Sequence, residues 1–146
     1  MSNAFAGLET VGSGSYDADD VHFLLRALQI EVTDVQEKER LIQTRQRHYS
    51  EMISQEHAPS DTHKSLYQRA LTQNGARMAA DVQALALALN ERYNGPSIAL
   101  VSFVRAGLPL GVLLRRALLD LGREAAHYGL SIIRDRGTDN VALDAV

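Results

Sequence analysis

Apolar residues recur in two rhythms along this chain, at threes and fours in the front part and, from residue 97, first in a short, almost wholly apolar run. Over 17–28, an acidic opening suited to a helix start precedes Val21, Leu24, Leu25 and Leu28 at helical spacing. That pattern predicts a short amphipathic helix. A second helix is expected from Thr33 or Asp34 to about Ile53, its apolar side supplied by Val35, Leu41, Ile42, Tyr49, Met52 and Ile53. Ala58-Pro59-Ser60 breaks the period. Ser60 then caps a long third helix over 61–92, in which Met78, Val82, Leu85 and Leu89 recur and Gly75 marks a bend or a close contact.

Asn94-Gly95-Pro96 is the strongest punctuation in the chain, and the period changes behind it. Residues 97–104 are short, apolar and rich in β-branched side chains, as in a strand covered on both faces of a parallel sheet. A helix follows with Leu110, Leu113, Leu114, Ala117, Leu118 and Leu121 on one broad stripe, Pro109 in its first turn and Gly122 placed to end it. A second apolar strand is expected over 127–133, so the connection reads as a right-handed parallel crossover. The predicted class is α/β: N-terminal helices packed on an incomplete parallel sheet with a strand-loop-helix-strand unit. Two strands leave open edges, so further strands are expected from a longer parent chain or from another copy in a homo-oligomer.

The segment joining the first strand to its helix is Arg105-Ala106-Gly107-Leu108-Pro109-Leu110-Gly111. Ligands of open α/β sheets bind beyond the carboxyl ends of strands. A helix start there points backbone amides outward and carries roughly half a positive charge, which favours an anion. Arg105 can give two charge-assisted hydrogen bonds to phosphate oxygens, and Gly107 permits close backbone approach. The alternative is a plain strand-to-helix turn with a solvated arginine. Arg134 and Arg136 follow the second strand and reach the same edge if the strands are parallel, as a second anion contact or as a soluble strand exit.

Composition narrows the picture. With 146 residues and 45% hydrophobic content, residues 16–146 are expected to form one domain, with a helical part over 16–93, the strand unit over 97–146 and a flexible start at 1–15. Fifteen basic against eighteen acidic residues give a net charge of −3, so no general grip on nucleic acid or anionic lipid is expected. The first residues lack the basic start and apolar block of a secretory signal, and no run of about eighteen apolar residues suggests a membrane span. A cytoplasmic location is expected. There is no cysteine, hence no disulfide, thiolate metal site or cysteine nucleophile within these residues. His57 and His63 have no partner at i+4, so no metal site is expected; His127 reads as structural, and Asp19-Asp20 as helix-start residues. No catalytic role is pinned for His48 or Tyr49 by spacing.

Several separate blocks, in order, resemble a known group. They are Asp19-Asp20-Val21 with Phe23-Leu24-Leu25, Glu37-Lys38-Glu39-Arg40-Leu41-Ile42-Gln43, His48-Tyr49-Ser50-Glu51-Met52-Ile53, Leu100-Val101-Ser102, Arg105-Ala106-Gly107 and Ser131-Ile132-Ile133-Arg134. They look like the phosphoribosyltransferase-like family of bacterial tellurium-resistance and stress gene clusters, whose members also carry the label cysteine protease StiP. The resemblance runs from about Gly14 onward. It implies a type I phosphoribosyltransferase-like half fold, with Arg105, Ala106, Gly107, Leu108, Leu110 and Gly111 holding the diphosphate of phosphoribosyl diphosphate. Arg134 and Arg136 would border the substrate, with Mg²⁺ as cofactor, in an enzyme of nucleotide or nucleoside biosynthesis that is inactive as this fragment. Leu108 stands where the family commonly has Thr, and Asp135 where it has a smaller residue; the first lacks a phosphate-binding hydroxyl and the second adds negative charge. Two other readings stand beside it: a non-catalytic helical interaction module, and the N-terminal domain of a StiP-type cysteine protease whose nucleophile lies beyond this chain.

Overall fold

The computed structural model describes residues 11–144 and 146, so most of the stretch expected to be flexible lies outside the described residues. The chain divides into two compact units, one from 11–27 with 73–146 and the other from Leu28–Thr72. The first carries a mixed helix and sheet architecture, which agrees with the α/β expectation.

Its sheet is built from β1 (His22–Phe23), β2 (Ile98–Val104), β3 (Ala125–Ile133) and β4 (Gly137–Thr138). The order is β1-β3-β2, both outer strands running parallel to β3, while β4 pairs antiparallel with the last residues of β3. Ile98 faces Ala125 and Val104 faces Ser131, so β2 and β3 are paired along the whole of β2. Between them runs a helix over Leu108–Asp120, α3 in chain order after the two helices described next. It ends where expected: Gly122 takes φ +73°, Arg123 N–H donates to Leu118 O at 2.9 Å, and Gly122 N–H to Leu119 O at 2.9 Å. Glycine adopts that left-handed position without steric cost.

The 32-residue helix α2 (Asp61–Arg92) also begins where expected, the Ser60 hydroxyl accepting from His63 N–H at 3.2 Å. Its buried Val82 and Ala86 form a core with Ile98 of β2, Leu114 and Leu118 of α3 and Ala125 of β3. Gly75 has open space where a side chain would stand, so no close contact explains it. The Arg123 guanidinium ties down the chain leaving α2, donating to the carbonyls of Tyr93 and Gly95.

Two front helices differ from expectation. Residues 17–28 form no helix: a turn closes with Asp20 N–H donating to Asp17 O at 2.9 Å, and the chain then extends into β1. Val21 is buried on one side while His22 is exposed on the other, and Leu24 N–H donates to Gly129 O at 3.0 Å. Strand pairing to a distant partner overrides the local helical spacing. In the other unit, α1 covers only Val35–Gln43, capped by the Asp34 carboxylate, which accepts from Gln36 N–H at 2.9 Å. It stops because 43–48 offers no apolar residue to continue its face and Arg45 turns left-handed at φ +56°. A separate 3-10 turn, Tyr49–Glu51, follows, with His48 as its cap. A final short helix, α4 (Asn140–Leu143), is capped by Asp139. Among the described residues no helix is long and apolar enough to cross a membrane.

Candidate functional site

The strand β2 ends at Val104, the Val104–Arg105 peptide is cis, and a turn leads into α3. A cavity of about 560 Å³ opens at this carboxyl end, its wall including Ser102, Phe103, Arg105, Ala106, Gly107 and Leu110. Its lining is largely apolar, with Arg105 as the charged side chain. Arg105, Ala106 and Leu110 are exposed, whereas Leu108 is buried as the first residue of α3.

The loop amides are partly used inside the loop. Gly107 N–H donates to Phe103 O at 3.0 Å and Leu108 N–H to Arg105 O at 3.2 Å, while Pro109 has no N–H to offer. Gly107 has φ −77° and ψ −20°, open to any residue, so space selects glycine there. An added Cβ would lie 3.2 Å from both N and O of Phe103. The close approach seen is thus to the preceding strand. Gly111 is buried too, and a Cβ on it would lie 2.2 Å from His127 Nε2 and 2.4 Å from Ser102 Oγ.

Because β2 and β3 are parallel, Arg134 follows β3 at the edge where Arg105 follows β2. Arg134, Asp135 and Arg136 form the tip of a hairpin that returns as β4. Asp135 sits left-handed at φ +65°, and Arg136 N–H donates to Ile133 O at 3.0 Å. All three side chains are exposed, and neither arginine lines the cavity wall. His57 and His63 are exposed, and His48 is occupied as a cap, its Nδ1 2.8 Å from Ser50 Oγ. Among the described residues no three His, Cys, Asp or Glu side chains converge as a metal site.

Behind the loop lies a polar network that local spacing does not announce. His127 is fully buried; its Nδ1 lies 2.9 Å from the Asp20 carbonyl and its Nε2 2.8 Å from Ser102 Oγ. Ser102 Oγ is in turn 3.2 Å from the Gly107 carbonyl. The Asp20 carboxylate, also buried, is gripped by Arg116 of α3 through Nε at 2.8 Å and Nη2 at 2.5 Å, and Arg116 reaches Asp17 at 2.9 Å. The Arg116 hydrogen bonds hold the Asp20 pKa below its ordinary 3.8 despite burial, and Asp20 raises that of Arg116 in return. Burial lowers His127 from its ordinary 6.5, opposed by its hydrogen bond to Asp20. Asp20 was expected at a helix start; it instead joins the front segment to α3. The separation of 96 positions between Asp20 and Arg116 leaves no local signal of that pairing.

Comparison with known proteins supplies a family. The family model described as "Tellurite-like stress resistance cysteine protease StiP" matches residues 14–146. A curated relative from Acinetobacter baylyi, named "Cysteine protease StiP", is 55% identical over 134 residues. The alignment covers 92% of this chain and 35% of that protein, so the chain spans about a third of the length of the relative it matches. No solved structure matches the chain. The expectation of a phosphoribosyltransferase is corrected here, since both matches are described as cysteine proteases and neither as a transferase. The StiP reading, kept above as an alternative, is the one supported, and with the match covering nearly the whole sequence, this chain belongs to the StiP family of stress-resistance proteins.

Proposed function

We propose that this chain is a ligand-binding part of a StiP-type stress-resistance protein, and that the cavity at the carboxyl end of β2 takes a small anion of the phosphate class. The observation that carries the reading is the cavity itself, about 560 Å³ between the end of a parallel strand and the start of α3, with Arg105 in its wall. That position combines the favoured ligand location of α/β sheets with the positive end of a helix. Its apolar lining suits a ligand that pairs an anionic group with an uncharged body. Arg134 and Arg136, at the same strand edge, add positive charge nearby. Mg²⁺ would enter with the ligand's own oxygens, because it keeps few protein ligands beside phosphate groups.

Proteolysis by a cysteine is a proposal for the longer family protein. These 146 residues contain no cysteine, so its nucleophile would have to be supplied from outside them. Within such a protein the cavity would recognise a small effector or an anionic feature of a substrate.

Calorimetric titration of the chain with inorganic pyrophosphate, with and without Mg²⁺, tests the binding site. Saturable heat is expected, weakened at least about tenfold in Arg105→Ala, since a charge-assisted bond contributes roughly 1.5–3 kcal/mol. Equal affinity of wild type and Arg105→Ala would remove the loop from the reading. Absence of binding by the wild type would leave the cavity without an anion role.

A further inference from the structure

The Ser102–His127 pair has the outline of a nucleophile and its base, but α3 packs tightly against it. The backbone of Gly111 stands so close that even a Cβ would fall 2.4 Å from Ser102 Oγ, so the helix side of the hydroxyl has no room for a substrate carbon. The pair therefore acts on its own surroundings, and those include the loop of the proposed cavity.

The hydrogen-bonding inventory of the network contains a conflict. The Asp20 carbonyl can only accept, so Nδ1 of His127 carries a proton in the neutral and the cationic ring alike. In the neutral ring Nε2 is then an acceptor, and it lies 2.8 Å from a Ser102 hydroxyl that has one proton to give. The Gly107 carbonyl, 3.2 Å from the same oxygen, competes for that proton. Gly107 O already accepts from Gly111 N–H at 3.1 Å, so it is not left bare when Ser102 turns to the ring.

We propose that His127, Ser102 and the Gly107 carbonyl form a proton-linked relay that sets the position of the loop before α3. With the ring neutral, Ser102 O–H donates to Nε2. When the ring takes a proton from solvent, Nε2–H donates to Ser102 Oγ, and the hydroxyl proton turns to the Gly107 carbonyl. Every donor and acceptor in the line is then matched in one direction, from the cation to the loop. Ser102 is a positioning residue in this scheme, and the loop it addresses supplies Arg105, Ala106 and Gly107 to the cavity wall.

The charges around the ring set where the relay works. From the front segment come the Asp20 carbonyl and carboxylate, which favour the cation, and His22, which opposes it. From α3 comes Arg115, which also opposes it, while Arg116 is engaged with Asp20 and Asp17. Ser102 is the group presented by β2, and it is uncharged. Burial is the largest influence and favours the neutral ring, so the relay rests neutral at pH 7 and turns over on acidification below the ordinary histidine value of 6.5.

Nuclear magnetic resonance of the 146-residue chain between pH 7.5 and pH 4.5 tests the relay without any ligand, so its failure is separable from failure of the cavity reading. At pH 7.5 the ring nitrogens should report the Nδ1–H tautomer. On acidification the ring should titrate below 6.5, and the Gly107 carbonyl carbon, whose oxygen receives the Ser102 proton, should shift with the same midpoint. In Ser102→Ala the ring should still titrate while the Gly107 carbonyl response falls to a small fraction of its wild-type size. An Nε2–H tautomer, a ring that stays neutral until the chain unfolds, or an equal Gly107 carbonyl response in Ser102→Ala would each overturn the proposal. The tautomer and the shared midpoint are read on the wild-type chain and decide the matter even where the variant does not fold.

Discussion

Gly111 and His127 meet so closely that the helix carrying one and the strand carrying the other leave no room for a single methyl group between them. A Cβ on Gly111 would stand 2.2 Å from Nε2 and 2.5 Å from Cε1 of the fully buried ring. The ring has no room to retreat without breaking its bonds to Asp20 and Ser102.

Gly111→Ala should therefore destabilise the chain by about 1–3 kcal/mol, although alanine is the better helix former. Gly129→Ala makes a useful contrast. Its Cβ would lie 2.6 Å from Cδ1 of Phe23, a half-buried side chain that can swing outward. Urea denaturation should show the smaller loss for Gly129→Ala; the reverse order would contradict the packing described.

Stability should fall in two separate acid steps. The folded-state pKa of His127 is depressed, so its contribution is intact above 6.5 and declines as pH falls from 6.5 toward the folded value. Asp20 is also depressed, but as a carboxylate its contribution is present above 3.8 and is lost as pH falls through its lower folded value. Denaturation midpoints from pH 7.5 to pH 2.5 should show both, and Asp20→Asn should remove the second step while keeping the first. A flat profile between pH 7 and pH 5 would refute the His127 step.

The core of the first unit centres on Leu118, which is 0% exposed, beside Leu119, which is 39% exposed. Leu118→Ala should cost about 2–5 kcal/mol through lost burial and a cavity. Leu119→Ala should cost well under about 1 kcal/mol, as for an exposed substitution. Comparable losses at the two positions in urea denaturation would place the core elsewhere.

The second half of the fold could be read directly because its signals are local. Short, largely apolar runs marked β2 and β3, Pro109 and Gly122 bounded α3, and Ser60 opened α2 within one residue of its observed start. The front could not be read this way. Val21, Leu24 and Leu25 have the spacing of a helix face, yet two residues there pair with a strand about a hundred positions away, and no window of neighbours carries that fact. The same distance hid the partners of Asp20, His127 and Arg116. By contrast, the early end of α1 was visible in principle, since 43–48 holds no apolar residue.

The two-residue strand β1 sets an order of assembly. The crossover from β2 through α3 to β3 is contiguous in sequence, whereas the front segment is fastened by bonds spanning 96 residues to Arg116 and 107 to His127. Closing so long a loop has its entropic cost before any contact rewards it, so the crossover forms first and the front segment locks onto a surface already made. Damage to the fastening then changes how long the folded chain lasts more than how fast it forms. In stopped-flow measurements Asp20→Asn should speed unfolding and leave refolding nearly unchanged, and slowed refolding would instead put the clasp in the folding nucleus.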